Sequence, residues 1–274
     1  MTRVLAVRYV LLGVAFSLAA AAVLLPLAVS QRTNVSADIS EDSATVAEQY
    51  LLSAANQERA ARGLSVLRRD RVLAQAAAAH AREMAAHGMI SHQFPGEPEL
   101  TDRGANAGVP FSAISENVAE APSAVQIHDM WMHSDHHRAN LLDPAIDSAG
   151  ISVVQRGGEL FAVEDFVKTV RSVSLEDQES AIAALVTQHG RISRATDRGA
   201  ISAARQTCSM STGYAGSAKP WFVMRFTSDS LNALPDELKT RMASGRYHEA
   251  AVGACTGSAQ SPFTSYNFAV MLYP

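Results

Sequence analysis

A histidine-rich segment contains the residue types most able to do chemistry in this sequence. Residues 131–142 read WMHSDHHRANLL, so three of the nine histidines fall within five positions. Two further polar segments, Ser91-His92 and Ser115-Glu116-Asn117, lie upstream. Imidazoles and a carboxylate that come from separate segments are the groups from which metal sites and acid–base sites are built.

Two imidazoles are the candidate metal ligands. His92 begins a loop rich in Gly and Pro, and His137 follows a predicted helix. As neutral rings they could bind Zn²⁺ or another divalent cation at about 2.0–2.1 Å, while Glu116 orients one ring through its other nitrogen. Glu116 is also the candidate catalytic base. The alternative is a hydrogen-bonded polar cleft with structural histidines, and the residues leave both interpretations open.

Two more residues complete the predicted cleft. Ser134 lies at the end of the predicted helix, and Asn117 is expected to fix a turn after Glu116 through bonds to the backbone. We interpret His133 and His136 as residues at the rim. No G-x-S-x-G motif and no Walker-type glycine loop is present, which disfavours a serine hydrolase or a nucleotide-binding site.

The first thirty residues resemble an export signal. Arg3 and Arg8 precede a run from Tyr9 to Ser30 without a charged residue. That pattern predicts either a cleaved signal peptide or an uncleaved membrane anchor over residues 1–30, followed by a polar linker over residues 31–44. In both cases the rest of the chain is expected to be secreted or to lie outside the cytoplasm.

Charge and cysteine content narrow the function classes. Without residues 1–30, which carry two positive charges, the net charge becomes −4 − 2 = −6, and no basic run remains. Nucleic acid is therefore not an expected partner, and a membrane is expected only through an N-terminal anchor. An even cysteine count in an exported protein favours a Cys208–Cys255 disulfide over two buried thiols.

Periodicity predicts a mixture of helices and strands. Helices are expected over residues 46–62, from Asp70 to about 87, over 124–133, from Ser174 to about 189 and over 234–245. Strands are expected at 151–154 and 160–163, joined at Gly157-Gly158, and at 221–226, 248–254 and 266–272. Residues 88–115 read as a loop, the composition shifts to Ser, Thr, Arg and Gly from about 190 to 219, and no internal repeat is visible in the sequence.

Residues 47–167 resemble the CAP superfamily, whose members include cysteine-rich secretory proteins, antigen 5 and pathogenesis-related 1 proteins. The matching segments run in family order, and the strongest is 137–142, HRANLL. The others are Asn56–Arg59, Leu73–Ala85, Ser91-His92, Leu100–Arg103, Glu116–Ala119, Trp131–Ser134 and Ala149–Ile151. This resemblance identifies a bacterial-type exported member of the family.

The resemblance implies an α+β fold, an α-β-α sandwich with a cleft over residues 45–170. It places the cleft histidines at His92 and His137 and the first cleft glutamate at Glu116. The second glutamate of eukaryotic members falls on Ser134, which puts glutamate-assisted hydrolysis in doubt. Residues 171–274 lie beyond the resemblance, and their strands and helices predict a small α+β region held by the disulfide.

Three functions follow from these observations. The first is a binding or interaction module that holds a small molecule, lipid, glycan or cell-envelope partner, with or without a divalent cation. The second is a metal-assisted extracellular hydrolase acting on peptide or envelope material, with Glu116 as base. The third is a structural envelope protein whose cleft is vestigial. Binding is the function favoured by the residues, because the second glutamate is missing.

Overall fold

The computed structural model describes residues 44–189, 191–257 and 261–274. The predicted export segment and nearly all of the predicted linker lie outside these residues. The described helices are α1 (Val46–Ala60), α2 (Arg71–His87), α3 (Leu100–Asn106), α4 (Ala124–His133), α5 (Asp135–Leu141), α6 (Leu175–Gln188), α7 (Arg198–Cys208) and α8 (Asp236–Ala243). The described strands are β1 (Arg68–Arg69), β2 (Phe111–Ala121), β3 (Ser148–Arg156), β4 (Glu159–Thr169), β5 (Ser193–Arg194), β6 (Phe222–Ser228), β7 (Glu249–Cys255) and β8 (Tyr266–Tyr273).

The helix ends follow the capping chemistry of the sequence. The Asp70 side chain accepts a hydrogen bond from the backbone N–H of Leu73 at 2.9 Å, and Ser123 caps α4 in the same way. Gly88 ends α2 in the left-handed conformation, with φ at 66°, which is accessible to glycine at little cost. Both predicted helix starts are therefore confirmed.

A four-stranded sheet in the order β1-β3-β4-β2 forms the first half of the described chain. Strands β3 and β4 form the predicted hairpin around Gly157-Gly158, and β2 pairs antiparallel with β4. One face packs against α1 and α4 through residues such as Leu51 and Trp131. The other face packs against α2 through Ala77, Ala81 and Met84. The α-β-α sandwich is thus confirmed; we call residues 44–170 the first sheet unit.

Residues 171–274, the second sheet unit, repeat the path of the first. Their sheet has the order β5-β7-β8-β6, with the same parallel pairing of its short first strand. Helices α6 and α8 cover one face, as α1 and α4 do in the first unit. Helix α7 covers the other face, as α2 does, although no described helix corresponds to α3 or α5.

The packing of helix on sheet is also repeated. A Cβ added to Gly150 of β3 would lie 2.4 Å from the carbonyl carbon of Leu73 in α2. A Cβ added to Gly253 of β7 would lie 2.2 Å from the carbonyl carbon of Ala204 in α7. Glycine therefore permits the close approach of helix to sheet in both units. No repeat is visible in the sequence, yet two stretches without visible sequence similarity follow one topology.

The predicted loop over residues 88–115 contains regular structure, namely α3 and the start of β2. The segment rich in Ser, Thr, Arg and Gly, for which no element was predicted, contains α7. Strand β2 was missed because its partner β4 lies about fifty positions further on, so that local sequence does not show the pairing. Glu116 and Asn117 therefore lie within a strand rather than at a turn. His137 follows α4 as expected, and it lies inside a further short helix, α5.

A disulfide and a few polar contacts hold the second unit. Cys208 at the end of α7 is bonded to Cys255 at the end of β7, as predicted. Contacts with the first unit lie at the ends of β2 and β4, where Lys168 pairs with Asp229 and the N–H of Thr264 donates to the carbonyl of Phe111 at 2.7 Å. No helix in the described residues has the length and apolar character required to cross a bilayer.

Candidate functional site

Glu116 is the centre of a polar network at the position of the predicted cleft. The Nδ1 atom of His92 lies 2.8 Å from its Oε1, while the Arg103 guanidinium donates to its Oε2. The Glu116 side chain is 2% exposed and that of Arg103 is 5% exposed, whereas that of His92 is 64% exposed. The carboxylate is thus buried beneath an imidazole that faces solvent, with a buried cation beside it.

A second layer of polar side chains supports this pair. The fully buried His80 of α2 lies 2.6 Å from Glu97 through Nδ1 and 2.7 Å from the carbonyl oxygen of Ser91 through Nε2. Glu97 also accepts a bond from the backbone N–H of Phe94. Since the carbonyl of Ser91 immediately precedes His92, these bonds fix the loop that carries the cleft imidazole.

Asparagines fix the other side of the cleft. Asn117 is fully buried, and its side-chain amide donates to the carbonyl of His137 at 3.0 Å. The Asn140 amide donates to Asn117 Oδ1 at 3.0 Å and to the carbonyl of Glu116 at 3.1 Å. These bonds tie helix α5 to β2 beside Glu116, and they thereby fix the backbone position of His137.

The two cleft histidines act on each other electrostatically. The hydrogen bond with Glu116 raises the pKa of His92, and this effect exceeds the opposing effect of burial. Burial lowers the pKa of His137, and the positive charges of His92 and His136 lower it further. The pKa values of the two imidazoles are therefore shifted in opposite directions.

Two acids of β4 lie under the sheet surface. Asp165 and Glu164 are both fully buried, and none of their carboxyl oxygens has a hydrogen-bond partner among the described residues. Burial raises the pKa of Glu164 to about 8. Burial, followed by the charge of Glu116, raises the pKa of Asp165 well above its usual range. Asp165 is the cross-strand partner of Glu116.

The predicted site residues occupy different environments. His92 and Glu116 are in contact, and His137 lies within electrostatic reach of His92. Ser134 is half-buried and lies between α4 and α5. The buried Asn117 uses its side-chain amide in a hydrogen bond to the carbonyl of His137. His133 is exposed and lies 2.8 Å from the carbonyl of Asp129 in its own helix.

Sequence reasoning missed four polar residues of the site, namely His80, Glu97, Arg103 and Asp165. Arg103 and Glu97 fall in the segment expected to be a loop. The sequence of a loop does not show which distant residues its side chains contact. A signal existed for Asp165, because Glu164 and Asp165 interrupt an otherwise apolar strand. Two adjacent acids occupy both faces of a strand, so at least one must lie in the core of a sandwich.

A groove of about 670 Å³ adjoins this network but does not contain the cleft histidines. It runs between α2 and residues 94–98, with Ala76, Ala79 and Phe94 among its walls. Glu97 and Arg103 line it as well. These two side chains are bonded to His80 and Glu116, so the groove shares them with the network around Glu116.

The predicted metal ligands His92 and His137 stay a prediction. In the described part of the chain, no group of three or more His, Cys, Asp or Glu side chains has an arrangement able to hold a metal ion. Any cation at His92 and His137 would therefore need further ligands from water or from a bound molecule.

Comparison with known proteins agrees with the resemblance seen in the sequence. Residues 52–167 match the model of the CAP family, described as the cysteine-rich secretory protein family. The uncharacterized protein YkwD of Bacillus subtilis is 27% identical over 131 residues, which cover 47% of this chain and 51% of the relative. The chain therefore spans about half the length of this curated relative.

Solved structures also match this part of the chain. An extracellular protein containing a SCP domain from Bacillus anthracis is 27% identical, with a TM-score of 0.42, covering 45% of this chain and 40% of that one. An outer surface protein of Borrelia burgdorferi is 19% identical, with a TM-score of 0.43, covering 45% and 92%. From the family match, residues 52–167 of this chain constitute a CAP domain.

Proposed function

We propose that this protein is exported and that its CAP domain binds a small polar ligand at the His92–His137 cleft without turning it over. The observation that carries this proposal is the state of Glu116. Its two oxygens are occupied by His92 and Arg103. A general base must reach the proton that it removes, and a carboxylate enclosed by two partners and 2% exposed is poorly placed to do so.

A divalent cation such as Zn²⁺ is the second element of the proposal. His92 directs Nδ1 to Glu116, which leaves Nε2 as the ring atom able to bind a ligand. A lowered pKa keeps His137 neutral, the form that binds metals. Because the protein would supply only two ligands, oxygen atoms of the bound molecule would complete the coordination of the cation. A hydroxyl-rich glycan, a lipid head group or a carboxylate could supply such oxygen atoms.

Metal-assisted hydrolysis has less support. That reaction would require Glu116 to leave Arg103 or His92 before it could accept a proton from water. Ser134 stands where a second glutamate would be in the eukaryotic members that this domain resembles. Among the described residues no carboxylate other than Glu116 contacts either cleft histidine, so binding is the better-supported function.

Export rests on different observations. The basic start and the apolar run over residues 9–30 are typical of an export signal. A disulfide is stable in the oxidising compartments that exported proteins reach. Protease added to intact cells, or assay of the medium, should reach residues 45–274, whereas complete protection inside the cytoplasm would contradict export.

Calorimetric titration of the purified ectodomain with Zn²⁺ tests the cleft. We expect one site, which is lost in His92→Gln and in His137→Gln. Glu116→Gln should weaken binding about 10- to 100-fold, because the carboxylate orients the imidazole. His133→Gln is the matched control, since His133 is exposed and bonded within α4.

A screen of glycans and lipid vesicles, run with and without Zn²⁺, then identifies the class of ligand. Zn²⁺ affinity that is unchanged by both cleft variants would reject the cation site. The absence of any ligand bound through His92 or His137 would reject the binding function.

A further inference from the structure

Two consecutive acids of β4 are buried without hydrogen-bond donors. Glu164 and Asp165 have no exposed surface, and their side chains point to opposite faces of the sheet. Glu164 faces the side covered by α1 and α4, and Asp165 faces the side covered by α2. An ionised carboxylate without a donor is very unfavourable in a core, so protonation is the usual outcome.

Of the two residues paired with Asp165 across the sheet, one has a polar side chain. Its cross-strand partner on β3 is Gly150, which lies against the backbone of α2 and offers no side chain. Its partner on β2 is Glu116. Two carboxyl groups can form a hydrogen bond with each other only when one of them carries a proton.

The surrounding charges decide which acid carries that proton. Glu116 is paired with Arg103 and His92, so its negative charge is compensated. The groups that face this pair are His80 from α2, 3.8 Å from Glu116, Arg103 from α3, and Glu97 from the preceding loop. Burial and the Glu116 charge raise the pKa of Asp165, and these outweigh the opposing effect of Arg103.

We propose that Asp165 is a neutral positioning residue that donates a hydrogen bond to Glu116 from beneath the cleft. The proposal deepens the proposed function, since Glu116 in turn orients His92. With three partners, the carboxylate of Glu116 is held on both oxygens and cannot rotate freely. Removing the donor would free Glu116 to turn away from His92, although Asp165 touches no ligand itself.

Infrared spectroscopy at neutral pH tests the protonation of Asp165. Protonated carboxyls have a carbonyl stretch that carboxylates lack, and the native protein should show it for both Asp165 and Glu164. Asp165→Asn should remove one of these bands and the control Glu164→Gln the other. In the unaltered protein, the ¹³C resonance of the Asp165 carboxyl should also remain that of an acid at pH 7. A carboxylate resonance there would overturn the proposal, whether or not the variants fold.

The positioning role has a separate readout in the NMR titration of His92. Asp165→Asn retains an N–H donor and should leave the raised pKa of His92 unchanged, whereas Asp165→Ala should lower it toward its ordinary value. If Asp165 were ionised, the Asn variant would instead remove a negative charge and lower the pKa of His92. Equal titration in the native and Ala proteins would also overturn the role. Neither readout involves a ligand, so both remain interpretable if the cleft proves to bind nothing.

Discussion

The two sheet units follow one topology but differ where each sheet approaches its covering helix most closely. In the first unit, the row of cross-strand partners through the close glycine is Gly150, Asp165 and Glu116. In the second, the corresponding row is Gly253, Ala269 and Arg225. The fold therefore does not require acids in this row. The acids of the first unit are therefore not explained by the topology alone, which agrees with the role proposed for them at the candidate site.

The second unit fills the equivalent region with its own chain. Arg225 donates from Nε to the carbonyl of Thr207 at 2.7 Å, and its guanidinium also donates to the carbonyl of Gly213. Cys208, the next residue after Thr207, is covalently bonded to Cys255. These contacts hold the segment after α7 against β6. Histidine–carboxylate pairs are found only in the first unit within the described residues.

Removing the disulfide should produce the largest difference between the units. Cys208 and Cys255 are 47 positions apart, and closing a loop of that size is worth roughly 4 kcal/mol or less in the chain-entropy model. We expect the Cys208→Ser/Cys255→Ser double variant to destabilise the second unit by up to about that amount. The fluorescence of Trp221 reports on the second unit and that of Trp131 on the first, in variants retaining one tryptophan.

The contrast between the two probes is the decisive result. Trp221 should report a larger fall in the unfolding midpoint than Trp131. Equal shifts at the two tryptophans would show that the units unfold as one, and two free thiols in the native exported protein would refute the disulfide itself.

Adding a methyl group at Gly150 and at Gly253 tests whether helix packs on sheet equally closely in the two units. Gly150→Ala and Gly253→Ala would each force a Cβ to within 2.5 Å of helix backbone, which cannot move aside as a flexible side chain can. Each variant should lose about 1–3 kcal/mol of unfolding free energy or more, in denaturant titrations. Gly257→Ala is the control, because its Cβ would meet only the Asn267 side chain, at 3.0 Å. A strong effect in one unit alone would contradict equivalence.

The elements that the sequence predicted well are those that local chemistry determines. Helices α2 and α4 have an Asp or Ser cap, and the β3–β4 hairpin has two turn glycines. The repeat was invisible because topology depends on which strands pair, and those pairs join residues far apart in the sequence. Asp197 caps α7 as Asp70 caps α2, but the Ser, Thr and Gly around it obscured that signal.

The candidate site was predictable only in its outer layer. His92, Glu116 and His137 were placed by resemblance, and the orientation of one imidazole by Glu116 is present in the structure. The buried partners depend on long-range contacts. Arg103 reaches Glu116 across 13 positions, and Asp165 is its neighbour only through the register of β2 and β4. Apart from the adjacent acids Glu164 and Asp165 in an apolar run, the members of this network look like ordinary surface charges in the sequence.

The smallest expected difference concerns pH. The bond with Glu116 raises the pKa of His92 above its ordinary value of 6.5, so the folded chain holds this proton more tightly than the unfolded chain. The stabilisation is complete below about pH 6.5 and is lost as the pH rises through the folded value. Because the His92 side chain is 64% exposed, solvent screening should limit the effect to below about 1 kcal/mol.

His92→Gln should therefore lose stability at pH 5.5 and little at pH 9. Buried Glu164 also makes stability fall with rising pH, so the measured quantity is the difference between native protein and variant at each pH. This difference should be visible with Trp131 and absent with Trp221, and a difference that grows toward high pH would have the wrong sign for a His92–Glu116 bond.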